Sequence, residues 1–157
     1  MALEKILNEE IATSEIIMTR FGKIHINKEK ALNFPEGILG IEGIHKYCLA
    51  DYPENKLPLF KVLQAVDNLN VAFLVLPVTN VAETYKKEHL DECFSDLQIR
   101  DDNAVVVLIA SIHKGLANEK SKLTVNVRAP IIIDTANMIA YQYVFKYDNY
   151  SIQNELN

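Results

Sequence analysis

Residues 104–112 read AVVVLIASI and form the longest apolar run in the chain. A run of this length suits a buried β-strand, and it is about half of the ~20 residues that a membrane-spanning helix needs. Two further apolar runs, Val71 to Leu76 and Ile131 to Ile133, border on Pro77 and Pro130. Short buried strands that stop at turn residues are typical of a mainly β domain.

Alternation of apolar and polar residues predicts further strands on both sides of these runs. Ile16 to Met18 and Lys23 to Ile26 are expected to form a hairpin with Gly22 near its turn. The other predicted strands are Tyr47 to Ala50, Phe60 to Val66, Leu123 to Val127 and Ile139 to Phe145. About nine strands with turn signals every ~8–12 residues predict a single compact domain, a closed or nearly closed antiparallel barrel or a sandwich.

One or two short helices complete the expected fold. Leu90, Phe94 and Leu97 lie at helical spacing and predict a helix from Glu88 to Leu97. The same periodicity near the N-terminus predicts a short amphipathic helix, carried by Leu3, Ile6, Leu7 and Ile11. We therefore divide the chain into an N-terminal helical extension (1–14), a β-barrel-like domain (15–150) and a C-terminal tail (151–157).

The charge balance restricts the class of partner. The 157 residues carry 16 basic and 21 acidic side chains, a net charge of −5, and the longest basic run is the pair Lys86-Lys87. Nucleic-acid affinity needs clustered positive charge, so direct binding of nucleic acid or of an anionic membrane is disfavoured. A basic protein partner is compatible with this charge, because complementary fields speed association.

The two cysteines, Cys48 and Cys93, do not make a disulfide framework, and no segment has the form of a signal peptide. We therefore expect a cytoplasmic protein with both thiols reduced.

No motif predicts catalysis or a cofactor. The chain lacks the G-x-S-x-G motif and a glycine-rich phosphate loop, so we expect no enzymatic activity. His89 and Cys93 are four positions apart on the predicted helix, a spacing that suits two zinc ligands, but two ligands do not make a site. We therefore predict neither a metal nor another cofactor.

The segment 33–43, NFPEGILGIEG, is dense in glycine and proline. It can be a structural turn, in which the glycines supply positive φ angles and Pro35 fixes the approach. It can also be an exposed binding loop that carries Glu36 and Glu42.

Three blocks resemble the flagellar assembly factor FliW family. The first block is Phe34-Pro35-Glu36-Gly37-Ile38 with Gly40-Ile41-Glu42, the second runs from Leu63 to Phe73, and the third runs from Leu123 to Ile133. Gln142 stands where the family has a glutamine in its last strand. The blocks follow the family's order and spacing, and the resemblance covers about residues 16–150.

The resemblance implies a compact antiparallel β-barrel-like fold and a role in partner switching. A protein of this family would bind the RNA-binding translational repressor CsrA, mainly away from its RNA site, and would relieve repression of flagellin synthesis. Flagellin would in turn sequester it. The alternative is a flagellin-specific cytoplasmic chaperone without CsrA antagonism. The candidate contact residues in the three blocks are Glu36, Glu42, Gln64, Asp67, Asn68, Asn126 and Arg128.

Overall fold

A computed structural model of the protein describes residue 3 and residues 14–156. The predicted N-terminal helix therefore lies, apart from Leu3, outside the described residues. The rest contains eleven strands and two α-helices. The strands are β1 (Glu15–Thr19), β2 (Gly22–Ile26), β3 (Leu32–Asn33), β4 (Lys46–Asp51), β5 (Lys61–Ala65), β6 (Ala72–Pro77), β7 (Ala104–His113), β8 (Lys122–Val125), β9 (Ile131–Asp134), β10 (Ile139–Gln142) and β11 (Asn154–Glu155); the helices are α1 (Val81–Thr84) and α2 (Lys87–Leu97).

Seven strands close into a barrel in the order β7-β6-β5-β4-β3-β10-β9, because β9 pairs back onto β7. Strand β7 is long enough to pair with two different strands along one edge. Its first half pairs with β9, from Ala104↔Asp134 to Val107↔Ile131, and its second half pairs with β8, from Ala110↔Val125 to His113↔Lys122. Between β8 and β9 the chain leaves the barrel wall at residues 126–130.

The barrel confirms the predicted mainly β fold, with one departure from antiparallel pairing. Strands β3 and β10 run parallel and meet at the single pair Asn33↔Ile139. A closed ring with an odd number of strands cannot alternate direction at every step. One parallel neighbour pair is therefore required, and it lies at the shortest strand.

Two further differences concern the ends of elements. The predicted last strand, Ile139 to Phe145, ends at Gln142, because the next residues bond to the 126–130 segment instead of to the sheet. The N–H of Tyr143 donates to the carbonyl of Pro130 at 2.9 Å, and that of Phe145 donates to the carbonyl of Arg128 at 2.8 Å. The segment predicted as a tail contains β11, which pairs with β8.

The barrel wall is buried on both faces, which explains its near-continuous apolar strands. On β4, Tyr47 and Leu49 point into the barrel, whereas Cys48 and Ala50 point outward beneath the β1–β2 hairpin. The hairpin turn needs Gly22, whose φ is +121° and whose missing Cβ would lie 3.3 Å from the Pro53 side chain.

A third apolar cluster lies between α2 and the outer face of the barrel. Leu90 and Cys93 of α2 pack there with Leu74, Leu108 and Tyr85. No helix among residues 14–156 is long and apolar enough to cross a membrane.

Candidate partner-binding surface

Strand pairing brings two of the three sequence blocks to one end of the barrel. The end of β3 pairs with the start of β4 at Asn33↔Lys46, and the start of β4 pairs with the end of β5 at Tyr47↔Ala65. The β3–β4 and β5–β6 connections therefore leave the barrel at the same end. We call residues 34–46 and 66–71 the loop end.

The first connection is held by buried apolar side chains and by glycine geometry. Phe34 and Ile38 are buried in the barrel interior, and the N–H of Gly37 donates to the carbonyl of Phe34 at 3.0 Å. Gly37 has a φ of +68°, and a Cβ there would lie 3.3 Å from the carbonyl oxygen of Ile44. Phe34 and Gly37 thus shape the loop, whereas Glu36 and Glu42 project from it and are exposed.

The second connection is organised by Gln64, whose side chain is fully buried at 0% exposure. Its Nε2 donates to the carbonyls of Ala65 at 3.0 Å, Asn68 at 3.3 Å and Val71 at 3.2 Å. The turn therefore closes around this amide, and Gln64 supports the surface from beneath without lying on it.

Asp67 and Asn68 are exposed on this turn. The Oδ1 of Asn68 accepts from the N–H of Asn70 at 3.0 Å, which stabilises the turn locally. Among the residues that the structure describes, Glu36, Glu42 and Asp67 form no ion pair and no side-chain hydrogen bond.

Gln142, at the end of β10, connects the first loop to the third sequence block. Its Oε1 accepts from the N–H of Leu39 at 2.9 Å, and its Nε2 donates to the carbonyl of Ala129 at 3.3 Å. Gln142 was not among the candidate contact residues. Its place in the family resemblance was the one sequence signal for it.

The two candidates in the third block, Asn126 and Arg128, hold the 126–130 segment in place. The Oδ1 of Asn126 accepts from the N–H of Ala129 at 2.9 Å. Arg128 donates from Nε to the carbonyl of Tyr150 at 2.8 Å and from Nη2 to that of Asp148 at 3.2 Å. Both side chains are half-buried, and their polar atoms bond to this segment and to the chain after β10.

Each connection of the loop end also exposes one leucine, and neither leucine is among the candidate contact residues. Leu39 is 67% exposed and Leu69 is 52% exposed. A single leucine in a loop carries no periodic signal, so its exposure becomes visible only when the strands around it are placed.

The surface of α2 is a second acidic region, but three of its four carboxylates, those of Asp91, Glu92 and Asp96, have partners. Residues 83–102 carry seven acidic and three basic side chains. The hydroxyls of Tyr143 and Tyr147 donate to Asp96 at 2.7 Å and to Glu92 at 2.8 Å. Burial and the hydrogen bond to Asp96 raise the pKa of Tyr143, and the hydrogen bond to Glu92 raises the pKa of Tyr147. We call α2, together with the residues 141–150 that pack on it, the helix side.

His89 and Cys93 do not form a pair of metal ligands. Cys93 is fully buried in the cluster beneath α2. The His89 ring stacks on Tyr147 at a centroid distance of 3.6 Å, and its Nδ1 lies 2.6 Å from the Tyr150 hydroxyl. Within residues 14–156 no group of three or more His, Cys, Asp or Glu side chains is placed to hold a metal ion.

Comparison with known proteins identifies relatives over almost the whole described chain. The flagellar assembly factor FliW of Oceanobacillus iheyensis is 34% identical over 139 residues, which cover 88% of this chain and 91% of that protein. The protein of the same name from Thermoanaerobacter pseudethanolicus is 32% identical over 142 residues, which cover 90% of this chain and 92% of that protein.

A solved structure supports the fold independently of these relatives. The crystal structure of a flagellar assembly factor FliW superimposes with a TM-score of 0.65 and 21% sequence identity, covering 91% of this chain and 97% of that one. The family model described as FliW protein matches residues 15–156. The chain therefore belongs to the FliW family of flagellar assembly factors.

Proposed function

We propose that this protein is a regulatory binding module of flagellum biogenesis. It binds a CsrA-type translational repressor and relieves the repression of flagellin synthesis, and flagellin sequesters it by binding in its turn. The protein acts in the cytoplasm and catalyses no reaction. Its output is the concentration of free repressor.

Membership of the flagellar assembly factor family is the observation that carries this proposal. The charge of the protein agrees with it. A repressor that binds RNA is basic, and a net charge of −5 favours encounter with a basic partner. The loop end adds three carboxylates that the described residues leave without an internal partner.

The direct test is release of RNA from the repressor. CsrA is bound to a labelled leader RNA, the protein is added to saturation, and RNA occupancy is followed by fluorescence anisotropy. We expect occupancy to fall, and added flagellin to restore it by removing the protein. Unchanged RNA occupancy at saturating protein would overturn CsrA antagonism.

The same experiment separates the alternative function. A flagellin-specific chaperone would bind flagellin tightly and leave the affinity of CsrA for RNA unchanged. Binding of the labelled RNA to this protein alone at low salt serves as a control, since an oligonucleotide-binding barrel would retain RNA under those conditions.

A further inference from the structure

We infer that Leu39 and Leu69 are the apolar anchors of a docking surface at the loop end, and that its occupant is a basic amphipathic segment of a protein partner. The segment would place apolar side chains against the two leucines and Lys or Arg beside the surrounding carboxylates. The inference rests on the proposed function, because it gives the location and chemistry of the binding that the function requires.

Both leucines are exposed to solvent. Single exposed leucines are common on protein surfaces and need no explanation. Here two connections that leave the barrel at the same end each expose one, Leu39 at 67% and Leu69 at 52%. Covering them with a partner removes apolar area from water, which is the main favourable contribution in most protein associations.

Both leucines lie on loops that side-chain hydrogen bonds hold in place. The N–H of Leu39 itself is held by the Oε1 of Gln142 at 2.9 Å. Leu69 lies in the turn that Gln64 closes through the carbonyls of Asn68 and Val71. Anchors on loops that are already ordered lose little conformational entropy on binding, so more of the contact energy appears as affinity.

The charge of the loop end determines which kind of segment can bind there. The loop end contains Glu36, Glu42 and Asp67 against the single Lys46. The three carboxylates are exposed and unpaired among the described residues, so a partner's Lys or Arg can approach them without breaking an internal bond. A basic segment therefore fits this surface, and an acidic one is repelled.

The β1–β2 hairpin also exposes apolar side chains, but the charge around them differs from that of the loop end. Ile16 and Met18 are also exposed, but their cross-strand neighbours are His25 and Lys23. That face offers apolar area with the opposite sign of charge. It therefore provides a matched control for the loop end.

The first experimental arm tests the surface without assuming the identity of the partner. The probe is a synthetic amphipathic helix with leucines on one face and lysines on the other, and its counterpart carries glutamates in place of lysines. We expect the lysine peptide to bind the wild-type protein and the glutamate peptide to bind at least tenfold more weakly. Leu39→Ser with Leu69→Ser should reduce binding of the lysine peptide about tenfold or more, whereas Ile16→Ser with Met18→Ser should leave it unchanged.

The second arm repeats the comparison with purified CsrA-type repressor and with flagellin. We expect the loop-end double variant to lose affinity for at least one of them, with a melting temperature close to that of the wild type because both leucines are exposed. Unchanged affinity of the loop-end variant for every probe that the wild type binds, or an equal loss in the hairpin variant, would overturn the inference. If the wild type binds the lysine peptide through the two leucines but neither protein, the proposed function fails and the docking surface stands.

Discussion

The loop end and the helix side are both acidic, but they use their carboxylates differently. On the helix side, Asp96 and Glu92 accept hydrogen bonds from tyrosine hydroxyls, and Asp91 forms an ion pair with Lys87 at 2.7 Å. At the loop end, Glu36, Glu42 and Asp67 have no such partners within residues 14–156. The net charge of a sequence therefore overstates the charge that is available to a partner, because part of it holds the fold together.

The two regions also differ in the groups that support them. Beneath the loop end, the side-chain amides of Gln64 and Gln142 bond to the backbone of the loops. On the helix side the support is aromatic. Tyr85 stacks on Phe145 at 4.9 Å, and its hydroxyl donates to the carbonyl of Val127 at 2.6 Å. Variants can thus disturb one region and leave the other intact.

The largest effect is expected from Tyr85→Ala, in the apolar cluster beneath the helix side. The change removes a buried ring and a buried hydrogen bond, so the free energy of unfolding should fall by about 3–5 kcal/mol. Tyr85→Phe keeps the ring and leaves the Val127 carbonyl without this donor, which should cost about 1–3 kcal/mol. Chemical denaturation measures both. Partner affinity of the folded fraction should stay at the wild-type value, and a parallel loss of affinity would show that the two regions are coupled.

Gln64→Leu should have the next largest effect, and it acts at the loop end. The substitution keeps a similar volume but removes the donor to three carbonyls, so we expect a loss of about 1–3 kcal/mol in the free energy of unfolding. Hydrogen exchange should become faster in residues 66–71 and stay unchanged in α2. Affinity for the partner should fall although a partner cannot touch Gln64. Wild-type affinity together with faster exchange would show that binding does not need an ordered turn.

Neutralising the loop-end carboxylates should slow association without changing stability. The triple change Glu36→Gln, Glu42→Gln and Asp67→Asn should lower the association rate with the basic repressor about tenfold at low salt. The difference from the wild type should shrink as ionic strength reaches the physiological range, where the Debye length is about 8 Å. Stopped-flow fluorescence gives these rates.

The matched control for that triple is Glu83→Gln, Glu88→Gln and Asp101→Asn, which removes the same charge from exposed positions around α2. We expect it to change the association rate less than the loop-end triple does. Equal slowing by both triples would show that overall charge, and not the loop end, steers the encounter.

The smallest expected effect is confined to alkaline pH and concerns two buried thiols, Cys48 and Cys93, and the half-buried Tyr143. Burial raises the pKa of Cys93 to about 12 and that of Cys48 to about 11, and it also raises the pKa of Tyr143. The unfolded chain ionises first in each case, so stability is fully present below the unfolded pKa and is lost as pH rises above it. The melting temperature should therefore fall as pH rises above about 9, the region of the unfolded thiol pKa.

Tyr143→Phe assigns part of that alkaline loss to the helix side. Without the hydroxyl, the decline in melting temperature above about pH 10, where an unfolded tyrosine ionises, should be less steep than in the wild type. A change at an exposed loop-end residue, Asp67→Asn, should leave the slope unchanged. Identical slopes for the wild type and Tyr143→Phe would contradict a contribution from this hydroxyl.

The sequence predicted the strands well, because alternation and turn residues are local signals. The hairpin with Gly22 near its turn was predicted correctly. The predicted last strand was too long, since Tyr141, Tyr143 and Phe145 continue the alternation while the chain already bonds to Pro130 and Arg128. The segment that pairs with a strand edge is determined by tertiary structure, so a local sequence pattern cannot predict it.

The exposure of side chains at the loop end was also hard to predict, because it depends on tertiary structure. Gln64 was a candidate contact residue because of its place in the second sequence block, but its side chain is buried and holds the 66–71 turn from beneath. Leu39 and Leu69 are isolated leucines in loops, so no local pattern showed that they are exposed. In both cases a second layer of structure decides whether a side chain meets solvent.

The link between Leu39 and Gln142 has a consequence for biosynthesis. The two residues are 103 positions apart in the chain. The parallel pair Asn33↔Ile139 joins the same two parts of the chain. Contacts between such distant residues form slowly, because a long loop must close before they stabilise anything. A growing chain on the ribosome cannot complete the first loop until β10 has been made. We therefore expect nascent and truncated chains to lack the finished surface, so that only complete molecules compete for the partner.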